Sequence, residues 1–386
     1  MLLPPSELAI AEAYLLGDVD IEGDIEAAAS LGDVAVGRIG SAGGAARLLR
    51  HVLALPADDD DAPAPSRMHV ARRLLRFGRR HSSRRDAQAV RFHYDVGNDF
   101  YALWLDRQMV YSCGYFEQGD ETLDEAQEAK LDYVCRKLRL GAGEHLLDIG
   151  CGWGALVIHA ARRYGARATG ITLSEQQAAY ARARIEREGL AACVTIEVRD
   201  YRELEGDGRY DKIASVGMVE HVGIQRLPDY FAAAYRALKP GGLFLNHGIV
   251  SVDRGRQRPL LDPLWRRLWK RDQFIHQYVF PDGDLVPTAA VLESAEREGF
   301  EVRDVESLRE HYVATLRNWV RRLEQHEDEA RATVGDVVYR VWRLYMSASA
   351  HGFHIGRIGV VQSLLAKQDA AGRVPLPPSR ADLYVS

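Results

Sequence analysis

The sequence is poor in cysteine, and its four cysteines, Cys113, Cys135, Cys151 and Cys193, stand far apart with no CxxC pair. That excludes a disulfide framework and a cysteine zinc site, and leaves isolated thiols of the kind kept reduced in a cytoplasm. Long apolar runs are missing too: none approaches the ~18 residues that a membrane-crossing helix requires. Any contact with lipid is therefore expected from the water side. Excess positive charge is also absent, since the formal net charge is −5. That balance opposes attraction of the whole chain to nucleic acid, so no nucleic-acid partner is expected. The N-terminus, MLLPPSELAIAEAYLLGDVD, has no basic segment and meets acids early, which is not the pattern of a signal peptide. No internal repeat is visible.

What is present is ordinary globular material: 386 residues, 47% hydrophobic and 27% charged, enough for one large domain with an appendage. Residues 1–66 carry short helical patterns, SELAIAEAYLLG, IEAAASLG and AARLLRHVLAL. These are broken by glycines and closed by the acidic, proline-containing linker PADDDDAPAPS at 56–66. Residues 67–129 open on RMHVARRLLRFGRRHSSRR, with eight arginines and no acid, and continue into a helical cap. Val70, Leu74 and Phe77 share one helical face among those arginines, so the segment is basic and amphipathic. It reads equally as a solvated linker helix or as an adhesive for anionic phospholipid, to which basic residues contribute ~1 kcal/mol each.

Residues 130–386 alternate between strand and helix. HLLDIG (145–150), ATGITLS (168–174), VTIEVRD (194–200), DKIASVGM (211–218) and GLFLNHGIVS (242–251) read as strands. Between them lie the helices GALVIHAARRYG, EQQAAYARARIEREG and LPDYFAAAYRALKPGG, the last ending in a Pro-Gly-Gly turn. This order implies an α/β fold, a doubly wound and mostly parallel sheet of Rossmann-like type, with a small helical N-terminal region. Helical segments at 309–323 and 337–352 are expected to help complete the sheet and cover a pocket.

The strongest local signal is the strand-to-helix turn Asp148-Ile-Gly150-Cys151-Gly152-Trp-Gly154. Glycines let the backbone approach a ligand closely, and an acid at the strand end accepts hydrogen bonds from it. The second strand ends in Thr172-Leu173-Ser174, with Gln177 nearby, and lacks the terminal acid of a dinucleotide site. Asp200-Tyr201 after the third strand could hold an adenine ring. With the Lys239-Pro240-Gly241-Gly242 turn, the pattern resembles class I S-adenosylmethionine-dependent methyltransferases more than dehydrogenases.

Strings around this core resemble the cyclopropane-fatty-acyl-phospholipid synthase and mycolic acid cyclopropane synthase family. They are HYDVGNDFYALWLD (93–106), YSCGYF (111–116), LDIGCGWG (147–154), GITLSEQQ (170–177), SVGMVEHVG (215–223), NHGIVS (246–251), FIHQYVFPDG (274–283) and HYVATLRNW (311–319). The resemblance runs from about residue 86 to the C-terminus. AEAYLLGDVDIEGDIEAA is similar to the tail of the family's accessory domain; the strands that precede it there are missing, so Met1 is expected to be a late start or a truncation.

The resemblance implies a catalyst that places a methylene from S-adenosylmethionine across the cis double bond of an unsaturated acyl chain, in phospholipid. Tyr111 and Ser112 would contact the cofactor's methionine part above Asp148, Gly150, Cys151, Gly152 and Gly154. Thr172, Leu173, Ser174 and Gln177 would hold the ribose, and Asp200 with Tyr201 the adenine. Cys113, Glu220, His247, Ile249 (through its backbone) and Tyr312 would hold a bicarbonate ion acting as base. No metal is implied. The place of work would be the cytoplasm, at the inner face of an anionic membrane, with self-association of the chain left open.

The chemistry accounts for such a set. An alkene carbon that takes a methyl group leaves a carbocation, which water would quench, so the pocket must be apolar and closed. A base must then reach one proton of the new methyl. Taken singly, these residues have plainer readings: a capping acid for Glu220, a core histidine for His247, a small buried hydrophobe for Cys113, and helix caps for Asn98 and Asp99 ahead of FYALWLD. One departure stands out. Many relatives carry a cysteine late in the chain before Gly-Phe, where this sequence has Ser349, so a mechanism needing that thiol is not expected. A sister reaction, yielding a methylene- or methyl-branched chain, would use the same cofactor and a similar pocket.

Overall fold

The computed structural model describes residues 7–30, 96–252, 274, 278–279 and 285–384. The arginine-rich segment 67–85, the linker 56–66 and most of FIHQYVFPDG lie outside them. Helix α1 (Glu7–Leu16) opens the chain, followed by the short α2 (Asn98–Ala102) and by α3 (Leu123–Lys137). Then come β1 (His145–Ile149), α4 (Ala155–Tyr164), β2 (Arg167–Thr172), α5 (Glu175–Arg187), β3 (Val194–Val198) and β4 (Tyr210–Val216). After β4 the chain makes a 3-10 turn at Val219–His221, then α6 (Leu227–Ala237) and β5 (Leu238–Ser251). The last part holds β6 (Val286–Pro287), α7 (Thr288–Arg297), β7 (Glu301–Ser307), α8 (Arg309–Gln325), α9 (Glu327–Val334), α10 (Asp336–His354) and β8 (Ile358–Ala366).

The strands form one sheet in the order β3-β2-β1-β4-β5-β8-β7, with β6 paired to β5 off that path. β1 to β5 run parallel, as expected from the alternation. β8 pairs antiparallel with both β5 and β7, so the C-terminal part completes the sheet with the opposite direction. α3, α4 and α5 bury apolar faces on one side of the sheet, and α6 and α7 on the other. A third core, rich in aromatics and drawn largely from α1, α2, α8 and α10, reaches the ends of β1 and β5 through Trp153 and Ile249.

Local chemistry explains the boundaries. Thr122 caps α3 in a reciprocal box with Glu125, each side chain meeting the other residue's backbone N–H. The expected boundary after residue 129 falls inside α3. The Lys-Pro-Gly-Gly stretch is not a turn ahead of β5 but a bulge within it. Tyr210 pairs with Leu238 and Lys212 with Leu243, and the extra residues loop out. FYALWLD is helical only as far as Ala102, and Asn98 lies inside α2, where Gly97 is the N-cap.

Candidate active site

β1 has β2 on one side and β4 on the other, so the chain leaves the middle of the sheet in both directions there. A crevice must open beyond the carboxyl ends of these strands, where ligands settle in such sheets. A cleft open to solvent lies there, with about 1030 Å³ of space, open solvent included. Its wall holds Asp148, Gly150, Cys151 and Gly152 at and beyond the end of β1, and Thr172, Leu173 and Gln177 at and beyond the end of β2. Tyr201 after β3 and the segment Tyr111-Ser112 complete the expected members.

Two glycines shape the floor. Gly150 has φ +85°, and a Cβ there would stand 2.7 Å from Met218 Cγ, so only glycine fits beneath the Met218 side chain. Gly152 has φ +53° and nothing within 4 Å of where a Cβ would be, so a side chain would project into free space at the cleft wall. Three expected members lie off that wall. Gly154 caps α4 and packs toward Ala181, and Ser174 caps α5 by accepting from Gln177 N–H at 3.3 Å. Asp200 turns both carboxylate oxygens to Arg202, at 2.7 to 2.9 Å.

Asp148 is 3% exposed, and its Oδ1 is buried without a hydrogen-bond partner. Burial pushes its carboxyl up to about 7, against the pull of Lys130. Lys130, on the cleft wall, donates from Nζ to Ser112 Oγ at 2.9 Å. Burial lowers its ammonium to about 8, with Asp106, Cys113 and Asp148 acting the other way. Sequence reasoning missed Lys130. The available signal was a lysine on the apolar face that α3 buries with Leu123, Ala126, Leu131 and Val134.

The other expected set lies off the cleft wall. Gly248 lets the Val219–His221 turn pack tightly on β5, since a Cβ there would meet Val219 Cγ1 at 2.1 Å. Held so, Glu220 Oε1 accepts from Ile249 N–H at 2.6 Å, while its buried Oε2 has no partner. Burial pushes this carboxyl up to about 7. On β5, His247 is pulled down to about 3 by burial and by the fields of Lys130 and Lys137, so it is neutral. Gln362 Nε2 lies 3.1 Å from His247 Nδ1; with the amide donating, the ring proton sits on Nε2. Burial raises the Cys113 thiol, which is directed to the carbonyls of Gly114 and Leu308. Tyr312, buried on α8, packs 4.7 Å from Phe353, ring centre to ring centre. The buried Tyr345, also missed from sequence, feels the charge of Glu220, and the Tyr111 and Ser349 side chains hold its hydroxyl.

Between cleft and interior stands an aromatic wall. Tyr111 lies 5.2 Å from Trp319, 5.5 Å from Trp104 and 5.6 Å from Tyr101, centre to centre. Trp153 lies 5.1 Å from Tyr101 and donates its ring N–H to Asn98 Oδ1 at 2.8 Å. Asn98 thus secures a cleft residue instead of capping a helix. Tyr111 and Trp153 line the cleft and also pack in the aromatic core. The arrangement suits a polar ligand in the cleft that presents one reactive group to the aromatic core.

Comparison with known proteins places this geometry. The model of a family described as mycolic acid cyclopropane synthetase matches residues 81–363. A probable fatty acid methyltransferase of Pseudomonas putida is 42% identical over 385 residues, covering 99% of this chain and 88% of its own. The probable fatty acid methyltransferase Rv3720 of Mycobacterium tuberculosis is 36% identical over 383 residues, covering 97% and 85%. Among solved structures, the cyclopropane synthase MmaA2 from Mycobacterium tuberculosis aligns with TM-score 0.67 and 36% identity, over 73% of this chain and 98% of its own. The mycolic acid cyclopropane synthase CmaA1, complexed with SAH and CTAB, aligns with TM-score 0.67 and 34% identity over the same shares.

Proposed function

The chain belongs to the mycolic acid cyclopropane synthetase family, and from that premise we propose that it converts the cis double bond of an unsaturated acyl chain, in phospholipid, into a cyclopropane ring. It has the class I S-adenosylmethionine-dependent methyltransferase fold of that family and modifies lipid acyl chains. The observation that carries the finer reading is the sharing of Tyr111 and Trp153 between the cleft and the aromatic core. A methyl donor bound in the cleft would meet a carbon acceptor there, shielded from water.

The cleft fits the cofactor. The orphaned Asp148 Oδ1 calls for a donor, Gly152 leaves free space, and Thr172 and Gln177 offer polar groups on the cleft wall for a ribose. When bound, S-adenosylmethionine supplies an electrophilic methyl group. The aromatic faces of Tyr111, Trp319 and Trp104 would steady positive charge on the acyl chain by ~0.5–2 kcal/mol each, and the closed core would exclude water.

The base site fits bicarbonate. The unpartnered Oε2 of Glu220 is an acceptor that the ion's hydroxyl would satisfy, and His247 Nε2–H is a donor for one of its oxygens. Cys113 and Tyr312 would frame the ion, while the Ile249 N–H, spent on Glu220 Oε1, would hold that carboxyl in place. Bicarbonate held there would supply a base for one proton of the newly attached methyl group, whose C–H electrons would close the ring on the cationic carbon. Ser349 is held with Tyr345 and is not needed as a nucleophile.

The arginine run 67–85 supports peripheral binding to an anionic membrane from the cytoplasmic side, where phospholipid chains would be met. The sister reaction giving a methylene- or methyl-branched chain is the second reading, favoured by the Pseudomonas putida relative being named a fatty acid methyltransferase. Expression in a host lacking modified acyl chains tests both. The proposal expects host lipids that gain CH₂ and lose their double bond; unaltered lipids would refute it, and gain of CH₂ with a retained double bond would favour the second reading.

A further inference from the structure

We propose that Lys130 is the cation that receives the carboxylate of the cofactor's methionine part, with Ser112 orienting it and Asp148 taking the methionine ammonium. The inference rests on the reading that the cleft binds S-adenosylmethionine, and it goes further by assigning a receptor for the amino-acid end. Lys130 and Asp148 are 2% and 3% exposed, and both line the same cleft with Ser112. Two buried side chains of opposite sign that keep unused hydrogen-bonding capacity at one cavity can take a partner offering both charges. An α-amino acid carries a cation and an anion within a few bonds of each other, so it complements both at once.

The hydrogen bonds in place leave room for it. Lys130 Nζ has three N–H bonds and gives one to Ser112 Oγ, at 2.9 Å. Asp148 Oδ1 has no partner. The other titratable groups set against Lys130 are Asp106 and Cys113. Asp106 spends Oδ1 on Val110 N–H and Oδ2 on Gln108 N–H, at 2.8 Å each, and so is tied to its own turn. Cys113 is a neutral thiol directed to carbonyls. His247, on which Lys130 also acts, is neutral and presents no anion. The lowered ammonium of Lys130 and the raised carboxyl of Asp148 agree with charges that lack full compensation until a zwitterion arrives. A rival anion for Lys130 is the bicarbonate of the base site. None of Cys113, Glu220, His247 and Tyr312 lines the cleft as Lys130 does, which favours the methionine carboxylate.

Calorimetry on the full chain distinguishes these cases with two nucleosides. S-adenosylhomocysteine carries the amino-acid end, and 5′-methylthioadenosine lacks it. Lys130→Met should weaken S-adenosylhomocysteine binding roughly 10- to 100-fold, as expected for a buried charge-assisted bond. It should leave methylthioadenosine affinity unchanged, and added bicarbonate should not alter either result. Retained methylthioadenosine binding also reports that the cleft is folded; should the methionine variant not fold, Lys130→Gln keeps a polar side chain and carries the same expectation. Undiminished S-adenosylhomocysteine affinity, an equal loss for both nucleosides, or a loss seen only with bicarbonate present would overturn the assignment. Failure of the unaltered protein to bind either nucleoside would instead overturn the cofactor reading.

Discussion

Replacing Glu220 by glutamine should separate binding from turnover and should also change how stability depends on pH. Glu220 Oε1 accepts from Ile249 N–H, and the amide oxygen of glutamine can do the same. The fold and the cleft are therefore kept while the charge is lost. Burial raises the carboxyl from 4.5 to about 7, which corresponds to roughly 3 kcal/mol against the ionised form. Because the folded value lies above the unfolded one, this group's stabilising contribution is full below about pH 4.5 and is lost as pH rises through about 7. Glutamine stays neutral throughout. The variant should match the parent's stability at low pH and melt higher at pH 8 by roughly 5 °C. Turnover should fall by ~10²–10⁴-fold while S-adenosylhomocysteine affinity is unchanged. Thermal melts at both pH values, calorimetry, and product analysis in bicarbonate-depleted buffer read the three quantities. Parent-rate turnover, or a melting difference that ignores pH, would refute the reasoning.

Three further perturbations have defined outcomes, two from the geometry and one from the sequence. Gly152→Val places a branched side chain at φ +53° beside free space, costing ~1–3 kcal/mol in strain. It should abolish S-adenosylhomocysteine binding in calorimetry without unfolding the chain, and unchanged affinity would count against the cofactor cleft. Gly248→Ala drives a methyl against Val219 Cγ1, with an overpacking cost of ~1–3 kcal/mol. Turnover should fall far more than cofactor affinity, because the displaced turn carries Glu220; equal losses would dissociate that turn from the base site. Finally, the arginine run 67–85 should make liposome co-sedimentation depend on anionic lipid and weaken with salt. Equal binding to neutral vesicles would mean that the run is only a linker.

Much of this site was legible in the sequence because its parts are local. The strand-glycine-helix passage around Gly150 and Gly152 needs only a few consecutive residues, and the alternation of strands with helices gave the parallel half of the sheet. Long-range packing was not legible. Nothing near Lys130 says that its ammonium meets Ser112, because that contact joins α3 to a loop 18 residues earlier. Gln362 reaches His247 only through the antiparallel β5–β8 ladder, whose direction the pattern left open. Tyr111 and Trp104, from the stretch between α2 and α3, meet Trp319 of α8 and Trp342 of α10, far away in the chain. Asp200 illustrates the converse, since the residue two positions on, Arg202, occupies the carboxylate expected for adenine.

The central claim is that one carbon passes from the cleft to an acyl double bond and closes a ring there. Its most direct test incubates the purified chain with unsaturated phospholipid vesicles and S-adenosylmethionine bearing a trideuterated methyl group, followed by mass spectrometry and proton NMR of the lipid. The account predicts acyl chains that gain CD₂, lose their olefinic protons and show the high-field signals of the two ring methine protons. Chains that gain CD₃, or that gain CD₂ and still carry a double bond, would contradict it.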